Sequence, residues 1–189
     1  MSRTPAIRLS GLAISRRLQR GLTMIETLCV VSVLATTLGI ATPSMKSWQL
    51  KQALHATAAE LETDIQYARS QAVATQRPVR LDTQVLGNSS CYVLHTGSAH
   101  ECTCMGQSQV QCTGEARVLR VAEQRNDGSV RLTTTKVSIV FDPKRGTVTP
   151  TATLKLADSQ GRAVHQIVNI MGRVRSCSPQ GASAGIKAC

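Results

Sequence analysis

Residues 20–43 read Arg-Gly-Leu-Thr-Met-Ile-Glu-Thr-Leu-Cys-Val-Val-Ser-Val-Leu-Ala-Thr-Thr-Leu-Gly-Ile-Ala-Thr-Pro, and the fold is decided here. The apolar run Leu22–Thr42 holds 21 residues, about 31 Å of helix, which matches a bilayer's hydrocarbon core. No other stretch of the chain is as long and as apolar. Arg3, Arg8, Arg16, Arg17 and Arg20 precede it without an acid between them, a bias that predicts a cytoplasmic amino terminus and an exported remainder. Glu26 is the anomaly. An ionisable group one turn into a membrane helix costs at least ~2.5 kcal/mol and ordinarily has a partner, yet nothing else between Leu22 and Thr42 can supply one. Two plainer readings stand beside it. One is a secretory signal cleaved at Gly39-Ile40-Ala41, which must accommodate an unusually long apolar run and the acid inside it. The other is a simple anchor carrying a stray glutamate.

Composition bounds the remainder of the chain. Five of the basic residues lie within 1–21, so a chain lacking that segment falls from +11 to +6. A basic exported domain points to an acidic partner such as nucleic acid or anionic lipid, or to no more than a soluble surface. Residues 43–76 read as a helix continuing beyond the apolar run, and 77–189 are enough for one modest core. Trp48, Tyr67, Tyr92 and Phe141 are the only aromatics, so the core must be aliphatic and a stacking platform for single-stranded bases is not expected. His55, His95, His100 and His165 have no nucleophile and acid arranged around them, and no glycine-rich phosphate loop occurs. An enzyme is not expected, nor a cofactor.

Apolar residues at Leu50, Leu54, Ala58, Leu61, Ile65, Ala68 and Ala72 recur three or four apart, with Lys51, Glu60, Glu62, Asp64 and Arg69 off the stripe. Gln76-Arg77-Pro78 ends the helix. The period then shortens. Strands are expected at Val79–Leu86, Cys91–His95, Ala116–Ala122, Val130–Thr134, Val137–Phe141, Thr147–Thr149, Ala152–Leu156 and His165–Ile170. Turns at Gly87-Asn88, Asn126-Asp127-Gly128, Asp142–Gly146 and Asp158–Gly161 separate them, which makes the class α+β with antiparallel meanders. Residues 97–114 read as a cysteine-stapled loop. Six of the seven cysteines, Cys91, Cys102, Cys104, Cys112, Cys177 and Cys189, suit three disulfides in an exported chain. Cys177–Cys189 is the pair that would close the tail onto the last strand. Cys29 lies in the apolar run as a small packing residue. His95 and His100 near Cys102, Cys104 and Cys112 raise a zinc alternative, although Cys-x-Cys is poor zinc-knuckle spacing.

Gly21-Leu22-Thr23-Met24-Ile25-Glu26 resembles the processing box of type IV prepilins. The resemblance implies cleavage after Gly21 by prepilin peptidase, methylation of the new amino terminus at Leu22, and pairing of Glu26 with the terminal amine of a neighbouring subunit. The family's usual phenylalanine after the cut is Leu22 here, and Pro43 falls where pilins commonly bend. Ala58-Ala59-Glu60-Leu61 through Ile65, then Ala68–Ala72 and Pro78-Val79, is similar to the helix-to-strand passage of GspH/FimT minor pilins and pseudopilins. Phe141-Asp142-Pro143 with Gly146, and Gly172-Arg173-Val174-Arg175, match as well. The implied organisation is a leader (1–21), a transmembrane segment and filament core (22–42), an amphipathic helix (43–76) and an antiparallel β head (77–189). It places the protein in the bacterial inner membrane and then in an extracellular filament of other pilins.

Met171–Cys177 is the segment richest in recognition chemistry. Arginines two apart on a strand project from one face about 6.6–6.8 Å apart, comparable to two steps along a DNA strand at about 3.4 Å each, so Arg173 and Arg175 could engage one backbone. Gly172 would permit a turn or a close approach. A Cys177–Cys189 bridge would bring Lys187 near, and Arg162 with His165 would extend the patch from the facing strand. A solvated strand edge guarded by charge fits the same residues. Resemblance to FimT-type minor pilins implies binding of duplex DNA through Gly-Arg-x-Arg during natural transformation. Resemblance to GspH-type relatives implies instead a pseudopilus of type II secretion.

Overall fold

The computed structural model describes residues 23–87, 89–125, 130–181 and 185–189. The leader with its five arginines, and with them Gly21 and Leu22, lies outside the described residues, as do the expected turn residues Asn88 and Asn126–Gly128. Helix α1 spans Met24–Thr75, and the chain divides into two units, Met1–Thr42 and Pro43–Cys189.

In the first unit the helix exposes Met24, Ile25, Leu28, Val30, Val31, Val33, Leu34 and Leu38. Its hydroxyls turn inward along the backbone: Thr27 Oγ1 donates to Met24 O at 2.8 Å, Ser32 Oγ to Cys29 O at 2.8 Å and Thr37 Oγ1 to Val33 O at 2.9 Å. Such back-bonding satisfies a polar side chain without water. Cys29 is free and exposed. Among the described residues no helix is long and apolar enough to cross a membrane.

In the second unit the stripe read from the sequence is the buried face. Leu54, Ala58, Leu61, Ile65, Ala68 and Ala72 are all buried, while Leu50, at its start, is half-buried. The helix ends as the sequence predicts, with Gln76 in a left-handed conformation at φ 54° ahead of Pro78. Asp64 departs from expectation. Rather than facing solvent it is buried, accepting from Tyr92 Oη at 2.9 Å and pairing with Arg120 Nη1 at 3.1 Å.

Eleven strands are described: β1 (Val79–Leu86), β2 (Ser89–Thr96), β3 (Cys102–Gly106), β4 (Gln109–Cys112), β5 (Arg117–Arg125), β6 (Val130–Thr134), β7 (Ser138–Phe141), β8 (Val148–Thr149), β9 (Ala152–Asp158), β10 (Ala163–Val168) and β11 (Val174–Cys177). They form a five-stranded sheet β5-β2-β1-β7-β8, a four-stranded sheet β11-β10-β9-β6 and the hairpin β3-β4. All paired strands are antiparallel. The helix stripe packs with Val79, Leu81, Tyr92, Leu94 and Phe141 of the first sheet and Leu154, Leu156, Val164 and Val168 of the second in one core.

The 97–114 segment is a hairpin rather than a loop. Its turn is Gln107-Ser108, both with positive φ (53° and 58°), a backbone normally marked by Asn-Gly or Asp-Gly. Sequence therefore offered no hairpin signal there. Cys91–Cys104 and Cys102–Cys112 bridges fasten it. Cys91, Val93, Cys102 and Cys104 make a second small core. Strand β2 is consequently buried on both faces, with Tyr92 and Leu94 toward the main core and Cys91 and Val93 under the hairpin. The zinc alternative gives way to these disulfides. His95 turns to Asp82, its Nε2 3.2 Å from Oδ2, with both side chains buried.

Candidate functional site

Strand β10 ends at Val168, two residues before the expected limit, because Asn169 closes a turn. Gly172 N donates to Asn169 O at 2.9 Å, and Arg173 N donates to Asn169 Oδ1 at 2.9 Å. Gly172 takes φ 69° and is buried against α1. A Cβ there would lie 2.8 Å from Arg69 Cδ, 3.0 Å from Arg69 Nε and 3.0 Å from Gly146 O. The glycine is thus required by the fold: the turn closes over the Arg69 side chain.

Arg69 in turn donates from Nε to Gly146 O at 3.0 Å, tying the helix to the Asp142–Gly146 turn. Asp142 Oδ1 accepts from Lys144 N at 2.9 Å and Arg145 N at 2.8 Å, which closes the turn while the Lys144 and Arg145 side chains stay exposed. Val148 N donates to Ile170 O at 2.8 Å and joins β8 to the β10–β11 turn. Between helix and turn lies an open groove of about 550 Å³ lined by Gln66, Arg69, Ser70, Val73, Gly172, Arg173 and Val174.

Arg173 precedes β11 and Arg175 lies within it, paired with Ile167. Both are exposed, on the same parity of the chain, as the sequence requires for a shared face. The strand pair is pinned beneath them. Gln166 Nε2 donates to Ala58 O at 3.0 Å, and Ser176 Oγ lies 2.9 Å from Gln166 Oε1 and 3.0 Å from Glu62 Oε2.

Other members of the expected patch are elsewhere. Arg162 precedes β10, at the end opposite Val168, which pairs with Val174. Its Nε donates to Asp158 Oδ2 at 2.6 Å and its Nη2 to Ser47 O at 3.1 Å. It fastens the helix and does not extend the patch beside Arg173. Cys177–Cys189 forms as expected. Lys187 is exposed, and its carbonyl accepts from Ser178 N at 2.8 Å, which places it past the Cys177 end of β11. His165 is opposite Cys177, not Arg175, with Nδ1 3.9 Å from Cys189 Sγ. Partial burial and the facing Lys155 hold its pKa below the ordinary histidine value. Reading the sequence missed Arg69, Lys144 and Arg145 as neighbours of the Gly172 turn. The signal available was the pair of glycines, Gly146 and Gly172, that admit the Arg69 stem.

A helix laid across antiparallel sheets, with a long amino-terminal extension and a disulfide-held tail, defines a type IV pilin-like subunit. The family model for type II transport protein GspH matches residues 57–172, and the chain belongs to that family. The match ends at Gly172, so Arg173 and Arg175 lie just beyond it. Among solved structures the chain is similar to the type IV minor pilin FimU of Pseudomonas aeruginosa (strain PAO1), with 19% identity, a TM-score of 0.47, and coverage of 69% of this chain and 95% of that one. No curated protein matches the sequence.

Proposed function

We propose that this protein is a minor pilin that captures duplex DNA for uptake in natural transformation, binding it through Gly172, Arg173 and Arg175. One observation carries the reading: Arg173 and Arg175 are two residues apart and both exposed, beside a turn that Gly172 and Arg69 hold in place. Guanidinium groups so placed make bidentate contacts with phosphate and bind without regard to sequence. Lys187 borders the same strand from its far end. The amino-terminal half of the reading rests on sequence chemistry. Prepilin peptidase cuts between Gly21 and Leu22, Leu22–Thr42 anchors the subunit in the inner membrane, and Glu26 later neutralises a neighbour's amine in the filament.

The test is a titration of the full chain, in non-ionic detergent, with labelled duplex DNA across a salt series. Binding should fall steeply with salt, and R173Q/R175Q should weaken it for every sequence, with the log-log slope smaller by about 0.9 for each lost contact. A wild-type chain that ignores DNA at low salt overturns the reading. The family's description as a type II transport protein then favours the second reading, a GspH-type pseudopilin of the secretion pseudopilus, whose partners are other pseudopilins.

A further inference from the structure

The helix stretch Gln66–Val73, the turn Asp142–Gly146 and the segment Asn169–Arg175 come from three distant parts of the chain. Together they carry Arg69, Lys144, Arg145, Arg173 and Arg175, all exposed. The one acid among these stretches is Asp142, and its Oδ1 is already bonded to two backbone N–H groups. The next acid along the helix face, Glu62, receives the Ser176 hydroxyl. Hydrogen bonds make the three pieces one surface: Arg69 Nε to Gly146 O, Val148 N to Ile170 O, and Gly172 pressed on the Arg69 stem. Five cations against the one Asp142 carboxylate leave the surface net positive, and a polyanion offsets their mutual repulsion.

We propose that the DNA seat extends across this whole end of the head. Lys144 and Arg145 are further phosphate contacts, and Arg69 is the positioning residue that locks their turn to the Gly172 turn. The inference rests on the DNA reading above and enlarges it from one strand to three elements. Arg69 acts in two ways. Its Nε is committed to Gly146 O, which fixes the spacing of the two cationic turns, and its stem supports Gly172. The groove lined by Arg69 and Arg173 is where the phosphate backbone crosses from helix to strand.

The experiment uses the full chain in detergent and the same labelled duplex. K144Q/R145Q should lower affinity for all sequences and reduce the log-log salt slope by about 1.8. Both side chains are exposed, and the turn uses only their backbone N–H groups, so an unchanged melting curve is expected. R69K, which keeps the charge but loses the guanidinium fork, should weaken binding with the slope unchanged. Lys136, exposed on the β6–β7 connection and outside the three stretches, is the control: K136Q should alter neither quantity. If K144Q/R145Q keeps wild-type affinity and slope while R173Q/R175Q is weakened, the extended seat is wrong and the DNA reading stands. If K136Q lowers the slope as much as K144Q/R145Q, the effect is general charge and the extended seat is again wrong. Absence of binding by the wild type removes both.

Discussion

At the scale of single residues, position 172 shows how a motif glycine can serve the fold and the site together. An alanine there would keep φ 69° at a cost of about 1–2 kcal/mol for a left-handed backbone, and its Cβ would also meet Arg69 Cδ and Gly146 O. Gly172→Ala should therefore destabilise the head by more than the backbone term alone. Part of that excess should vanish in an Arg69→Ala background, where only the Gly146 contact remains. Urea unfolding of the two single variants and the double variant measures the coupling. Strict additivity would mean that the glycine does not rest on the arginine. Asp82 supplies a second residue-scale expectation. Burial alone would raise its pKa, but hydrogen bonds from His95, Ser138 and the His100 N–H, with the nearby His95 charge, together lower it below 3.8. A depressed carboxyl contributes stability that is present above its unfolded pKa and lost as pH falls through the folded one. Wild-type stability should accordingly drop below about pH 3.8, and Asp82→Asn should flatten that loss while costing stability at neutral pH. An equally steep acid limb in the variant would remove Asp82 from the account. Neither contact was legible in the sequence, because each joins residues far apart along the chain through a backbone shape that composition does not record.

Elements were more legible than contacts, for a physical reason. Helix periodicity is written locally, so the stripe Leu50–Ala72 and its stop at Pro78 could be read directly, and from Leu54 onward it is the buried face. Leu61 is at the middle of that face and fully buried, so Leu61→Ala should cost about 2–5 kcal/mol, measured by denaturant unfolding; a loss below about 1 kcal/mol would show that the helix does not seat as described. The expected strands all occur, with ends displaced by a few residues where turn hydrogen bonds, such as those of Asn169, set the limit. The hairpin β3-β4 was not legible. Its strands are short, its turn uses Gln and Ser at positive φ, and its stability comes from two disulfides whose partners the spacing left open. Asp64 was misread for the complementary reason: a helix-face pattern cannot anticipate that Tyr92 and Arg120 will arrive from the sheet to satisfy a buried carboxylate.

For the whole molecule, the division at Thr42–Pro43 separates two kinds of chemistry. The head has its own core, built from helix and sheets, and carries the cationic surface. The first unit presents apolar side chains outward along its helix, a face that the proposed membrane and filament placement would bury. Glu26 interrupts that face in the first helical turn, where the backbone N–H groups of residues 26 and 27 bond to Thr23 O at 3.0 and 3.2 Å. An anion near a helix amino terminus is favoured locally, but by less than lipid burial would cost it, so the proposed membrane placement calls for a cation from outside the helix. Cleavage after Gly21 would create one, an amine at Leu22 on every processed subunit. Glu26→Ala should then leave membrane insertion unchanged, since removing a charge eases partitioning, while incorporation into filaments is lost. Fractionation of cells followed by immunoblotting of sheared filaments reads both. Wild-type incorporation of the variant would show that the acid is not the assembly contact. A membrane-extracted chain with an intact Met1 would show that the amine it awaits is never made.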